Sequence, residues 1–125
     1  MNVARNFLLV AVAYLVIGML IGMYMGGSGN RDLAPSHAHI NLTGFVLMAI
    51  FAAVYKLYPD MAASALAGAH FWVYNAGALV MNVGLFLMLG RFVAPETLGP
   101  AMPVGEAGLV IGVILFGLNA LKNAR

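Results

Sequence analysis

Two histidines separated by a single residue stand in Pro35-Ser36-His37-Ala38-His39-Ile40-Asn41, at the opening of a long apolar segment. A neutral imidazole binds transition metals through whichever ring nitrogen lacks a proton. On an α-helix, positions two apart point about 200° away from one another. His37 and His39 are therefore poorly placed to share one small metal ion and well placed to serve two partners on opposite flanks of one rod. Ionisable side chains at membrane depth are costly unless satisfied, so a pair of them calls for a function. Axial ligation of haem iron meets this geometry, and bis-histidine ligation gives a low-spin electron carrier closed to other ligands. One haem takes its axial ligands from both sides of its plane, so one helix with a histidine on each side completes neither haem. His37 of one copy and His39 of the next could clamp a haem between them, and such a heterologous contact closes into a ring.

The elements that must hold these side chains are membrane helices. Of the 125 residues, 63% are apolar and 8% are charged, against about a quarter charged in soluble proteins. The mean hydropathy is +0.96. Four apolar segments, 7–25, 36–58, 68–90 and 104–121, approach the length of about 20 residues that a crossing needs. Strict two-residue alternation is absent, so the spacing predicts four transmembrane helices in one all-α domain, without internal repeat or linker. The first segment is followed by Met25-Gly26-Gly27-Ser28 with no A-x-A-like site, and it reads as a crossing, not a cleaved leader. Gly26 to Asn30 end the first helix, Pro35 starts the second, Tyr58-Pro59-Asp60 closes it, and Pro95, Pro100 and Pro103 make the third connection irregular.

Arg5, Lys56, Lys122 and Arg125 lie on the side of the termini, against Arg31 and Arg91 on the other. The positive-inside rule then places both termini in the cytoplasm, in a bacterial-type inner membrane, with the histidines near the outer end of helix two. A net charge of +2 with no basic run speaks against nucleic acid as a partner. The chain has no cysteine, which excludes disulfides, thiolate metal sites, iron–sulfur clusters and covalent haem attachment. The expected cofactor is therefore haem b, held by His37 and His39, with Asn41 beside them. Arg31 and Arg91, on the histidine side, are candidates to pair with haem propionates.

Other residues weigh less. Met23, Met25 and Met88 lie toward the same end as second-choice axial ligands, although methionine in an apolar chain usually packs. Copper is the lesser metal candidate, because it needs ligands from other helices. His70, the only other histidine, is expected at the far end of its helix, in an interfacial place beside Trp72. Gly18, Gly22 and Gly26, and Gly108 with Gly112, form G-x-x-x-G series that let helices approach closely. Asn75 and Asn82 share a face of helix three and are expected to bond a neighbouring helix. Tyr24, Tyr55, Tyr58, Trp72 and Tyr74 are expected in an aromatic belt.

From His37-Ala38-His39-Ile40-Asn41-Leu42-Thr43-Gly44-Phe45 to Tyr55 and Tyr58-Pro59, the chain resembles the catalytic subunit of haem-copper oxidases. It is most similar to the tenth helix of the C-family oxidases and nitric oxide reductases, in which an H-x-H opens the helix, a glycine follows and a tyrosine and proline close it. His70-Phe71-Trp72, with Gly77 further on, looks like the next helix of that family. The resemblance implies that His37 and His39 are both axial ligands, adds Gly44 to the cofactor-side residues, and sets Arg91 where propionate-binding arginines occur. It also implies an arc of four helices, one third of the family's subunit of about twelve, so that a homotrimer would rebuild the whole with up to three equivalent haems. No histidine triad for copper is present, so the complete oxidase or nitric oxide reductase centre is missing. The implied activity is electron transfer or redox sensing with an unnamed partner. Two other readings stay open: a copper or haem delivery factor for a terminal oxidase, and a non-haem membrane bundle.

Overall fold

The computed structural model describes residues 1–125, without strands. Four helices carry the fold: α1 (Val3–Ser28), α2 (Ala34–Leu57), α3 (Ala65–Leu89) and α4 (Met102–Asn123), each long and apolar enough to cross a membrane. The chain is thus an all-helical, multi-pass membrane protein. Each helix begins before its apolar segment does, because caps and not hydropathy set the start. The Asn2 side chain accepts from Arg5 N to cap α1, and Ser64 Oγ accepts from Leu66 N to cap α3. Pro35 and Pro103 occupy the first turns of α2 and α4, where a missing N–H costs nothing. α1 stops at Gly29, whose φ of 71° is the left-handed conformation that glycine adopts without penalty. Tyr58 leaves helical geometry ahead of Pro59, and Pro59–Ala63 and Pro95–Leu98 form single turns in the connections.

α3 ends differently. Gly90 is still right-handed and Arg91 takes the left-handed position, with φ 60°. For an L-residue that conformation costs roughly 1–2 kcal/mol, and the exposed Arg91–Asp32 pair, at 3.4 Å, recovers little of it. Arg91→Gly should therefore raise stability by about 1 kcal/mol, checked by denaturant unfolding in micelles.

α1 pairs with α2, and α3 with α4. The two hairpins meet through an aromatic core of Phe7, Phe51, Tyr55, His70, Phe71 and Phe116. Phe7 at its centre is wholly buried, with ring centroids of His70 and Phe71 each 4.9 Å away. Offset and edge-on rings of this kind contribute about 0.5–1.5 kcal/mol per pair beyond burial. Side chains turned outward, such as Leu8, Ile17, Leu20 and Ile114, are apolar and exposed, as a lipid-facing surface requires.

The α3–α4 contact is the closest, because Gly77 meets Gly105 and Gly108 backbone to backbone. The glycines of α1 work otherwise. A Cβ on Gly18 would lie 2.5 Å from Asn41 Oδ1, and one on Gly22 3.0 Å from His37 Cε1, so this series makes room for the polar side chains of α2. Gly26 faces open space. The aromatic belt also needs correction. Tyr24, Tyr58 and Trp72 are exposed, but Tyr55 and Tyr74 are buried, because their hydroxyls have partners inside: His70 Nδ1 for Tyr55 and Thr43 O for Tyr74.

Candidate functional site

α2 is not uniformly α-helical. Its first turn, Ala34–His39, passes into a π-helical stretch, Ile40–Val46, before α-helix resumes at Leu47–Leu57. Wide turns of this type expose backbone carbonyls and recur at functional sites. Here two polar side chains serve those carbonyls: Asn41 Nδ2 donates to His37 O at 2.9 Å, and Thr43 Oγ1 donates to His39 O at 2.7 Å. Asn82 Nδ2 on α3 donates in turn to Thr43 Oγ1 at 2.9 Å. The histidine turn is thereby tied to a second hairpin.

The histidines lie on opposite sides of α2, as their spacing requires. His37 is half-buried against α1, and His39 is exposed. His37 Nδ1 is 2.8 Å from Gly18 O, and His39 Nδ1 is 2.9 Å from Pro35 O. A carbonyl can only accept, so Nδ1 is the donor in both imidazoles, and in the neutral form of each the lone pair falls on Nε2. This is the arrangement of metal-ligating histidines, whose second nitrogen donates to a carbonyl or carboxylate that fixes tautomer and ring orientation and strengthens the donor. The Asn41 amide also lies 3.4 Å from both ring nitrogens of His37, too long to compete with its bond to the carbonyl. The side chains therefore fit an iron ligand on each flank of α2.

The other expected site residues disperse. Asn41 stands beside His37. Gly44 is buried beneath Tyr14 of α1, where a Cβ would come within 2.4 Å of the Tyr14 ring. Arg31 is exposed and forms no salt bridge, while Arg91 pairs with Asp32. No group of three or more His, Cys, Asp or Glu side chains comes together in the chain.

His70 corrects the expectation of an interfacial residue beside Trp72. Trp72 is 67% exposed and His70 is 0% exposed, because they point to different sides of α3. His70 Nδ1 lies 2.9 Å from the Tyr55 hydroxyl, and Asn119 Nδ2 of α4 donates to Met61 O at 3.0 Å and to the same hydroxyl at 3.5 Å. His70 Nε2 has no partner. With the Tyr55 O–H donating to Nδ1 and the Asn119 amide donating to the Tyr55 oxygen, only that Nε2–H is left over. The sequence signal for this cluster was a lone amide, Asn119, in the last apolar segment, and a histidine and tyrosine flanking the Pro59 turn. Asn82 bonds a neighbouring helix as expected, but Asn75 turns back to Phe71 O of its own helix at 2.7 Å. The chain matches no family model, no curated protein and no solved structure.

Proposed function

We propose that the protein is a membrane cytochrome of the b type in which neighbouring copies complete one another's haem coordination. The observation that carries this reading is the state of the two imidazoles. Each has Nδ1 committed to a backbone carbonyl and Nε2 left as a donor, and they lie on opposite sides of one helix. His37 of one copy and His39 of the next would hold the haem between them. Haem, when bound, supplies reversible one-electron exchange. The chain's own residues orient the donors: Gly18 O and Pro35 O fix the tautomers, Gly22 leaves space for the His37 ring, and Thr43 and Asn41 hold the turn that carries both histidines. Arg31, unpaired at the same end, is available to a propionate. The closed ring is a trimer, in which each copy provides the four-helix arc that the resemblance to the haem-copper oxidase catalytic subunit implies. The lysine and arginine distribution supports cytoplasmic termini in a bacterial-type inner membrane.

A reduced-minus-oxidised absorption spectrum of protein purified from haem-replete cells tests this directly. It should show a low-spin bis-histidine haem, and His37→Ala and His39→Ala should each abolish it. Assembly in trans adds a sharper test: co-expressing the two single variants should restore part of the absorbance, since an interface with one intact histidine from each copy re-forms. Colourless wild-type protein, or no recovery in the mixture, would reject the reading.

A further inference from the structure

A groove of about 960 Å³ lies between α1 and α3, and neither His37 nor His39 lines it. Its α1 wall runs from Val10 to Tyr24 and its α3 wall from Asn75 to Leu89. At 1.5 Å per residue each wall is roughly 20 Å long, which is about half of a bilayer counted with its headgroup regions. The groove therefore spans one leaflet, at the end of the bundle away from the termini. Its polarity is graded as that leaflet's is. The body is apolar, with Ile17 and Ile21 on α1 and Val83 and Phe86 on α3. Of the polar residues at that depth, Asn82 is closed off, Asn75 bonds Phe71 O of its own helix, and Tyr14 lays its ring over Gly44. Charge stands only at the mouth, where the α1–α2 connection brings Asp32 and the end of α3 brings Arg91.

These two charges do little for each other. Their one contact is 3.4 Å long, between side chains 51% and 84% exposed, and such pairs contribute little. The guanidinium has further N–H groups to give, and the carboxylate takes no other bond. Arg91 also holds the left-handed backbone position, although Gly90 stands one place before it. A strained residue of this kind points to a use for its side chain. The mouth thus presents a positive and a negative group side by side, above a trough one leaflet deep.

We propose that this groove binds one phospholipid of the phosphatidylethanolamine class, with its phosphate on Arg91, its ammonium on Asp32 and an acyl chain between α1 and α3. The chemistry of the mouth selects the headgroup. A guanidinium matches a phosphate with paired N–H donors. A carboxylate only accepts, and a primary ammonium brings three N–H groups to it. The quaternary ammonium of phosphatidylcholine has no N–H to give. Phosphatidylglycerol carries a net negative charge with no cation to offset it, and Asp32 repels it. This inference concerns lipid binding alone and stands apart from the haem reading.

The test offers delipidated protein in detergent an equimolar mixture of dioleoyl phosphatidylethanolamine, phosphatidylcholine and phosphatidylglycerol. Retained lipid is counted by mass spectrometry after gel filtration, which also reports oligomeric state. Phosphatidylethanolamine should saturate near one per chain and be preferred about fivefold over either competitor, the effect expected of exposed charge-assisted contacts. Asp32→Asn should shift the preference toward phosphatidylglycerol, because only the positive group is left. Arg91→Gly, which relieves the backbone strain and so keeps the fold, should abolish the preference. Val83→Trp fills the trough from an exposed wall position and should remove the retained lipid without changing the oligomeric state. The doubly substituted His37→Ala, His39→Ala protein should retain phosphatidylethanolamine as the unmodified chain does, whatever becomes of its absorbance. Equal retention of the three lipids, a preference untouched by Asp32→Asn and Arg91→Gly, or loss of lipid in the histidine variant would each overturn the proposal. So would a Val83→Trp protein that keeps its lipid or changes its oligomeric state, the latter marking the groove as a seat for a second copy.

Discussion

Replacing Gly77 with alanine should separate α3 from α4 and cost more than any other single methyl group added to this protein. A Cβ there would sit 2.6 Å from Leu109 N, 2.7 Å from Gly105 O and 2.7 Å from Gly108 C. All three are backbone atoms, so no side chain can rotate away. Overpacking of a well-filled contact costs about 1–3 kcal/mol, and the rigid backbone on the far side places this case at or above the upper figure. The measurement is unfolding of purified protein in mixed micelles, followed by helical ellipticity. Gly117→Ala is the matched control. Nothing lies within 4 Å of a Cβ at that position, and alanine in mid-helix should gain up to about 1 kcal/mol over glycine. Equal behaviour of the two variants would mean that the hairpin is not held by the Gly77 contact.

The second large effect belongs to the buried pair of Tyr55 and His70. Tyr55→Phe removes the only partner of His70 Nδ1, and Nε2 already has none, so the whole imidazole would be stranded among aromatic rings. A buried polar group left unpaired costs about 1–3 kcal/mol. His70→Leu leaves the Tyr55 hydroxyl with only the Asn119 amide at 3.5 Å, and it should be destabilising by a comparable amount. The double replacement removes both partners together and should cost less than the two singles summed, by about 1 kcal/mol or more. Strict additivity in this cycle would show that the 2.9 Å contact contributes nothing.

Much of the frame was legible because lipid imposes strong rules. Charge-free runs marked all four helices, and the two-residue spacing of His37 and His39 put them on opposite flanks of α2 without further information. What the pattern could not deliver was the partner of each polar group. His70 lies near the start of α3, and depth alone suggested an interface. Its burial follows from pointing toward Tyr55 and Phe7, which only helix rotation decides. The same holds for Tyr74, and for Gly18 and Gly22, whose spacing reads as backbone contact but which accommodate Asn41 and His37. Arg91 and the histidines were grouped because they share one end of the bundle. The structure adds a carboxylate neighbour for Arg91 that no spacing announced, Asp32 in the α1–α2 connection, 59 positions away along the chain.

The π-helical stretch of Ile40–Val46 has a consequence for how α2 is indexed. A wide turn accommodates one residue more than the α-helix around it, and one residue corresponds to about 100° of rotation. The half that bears His37 and the half that bears Tyr55 are thus set in phase by a local surplus of chain. Deleting a single residue between 40 and 46 would let the helix close to ordinary winding, and one half would have to swivel by that angle. Either His37 would lose Gly18 O, or Tyr55 would be swung out of reach of His70. The extra residue acts as a spacer that keeps two otherwise independent polar centres on the same rod in register.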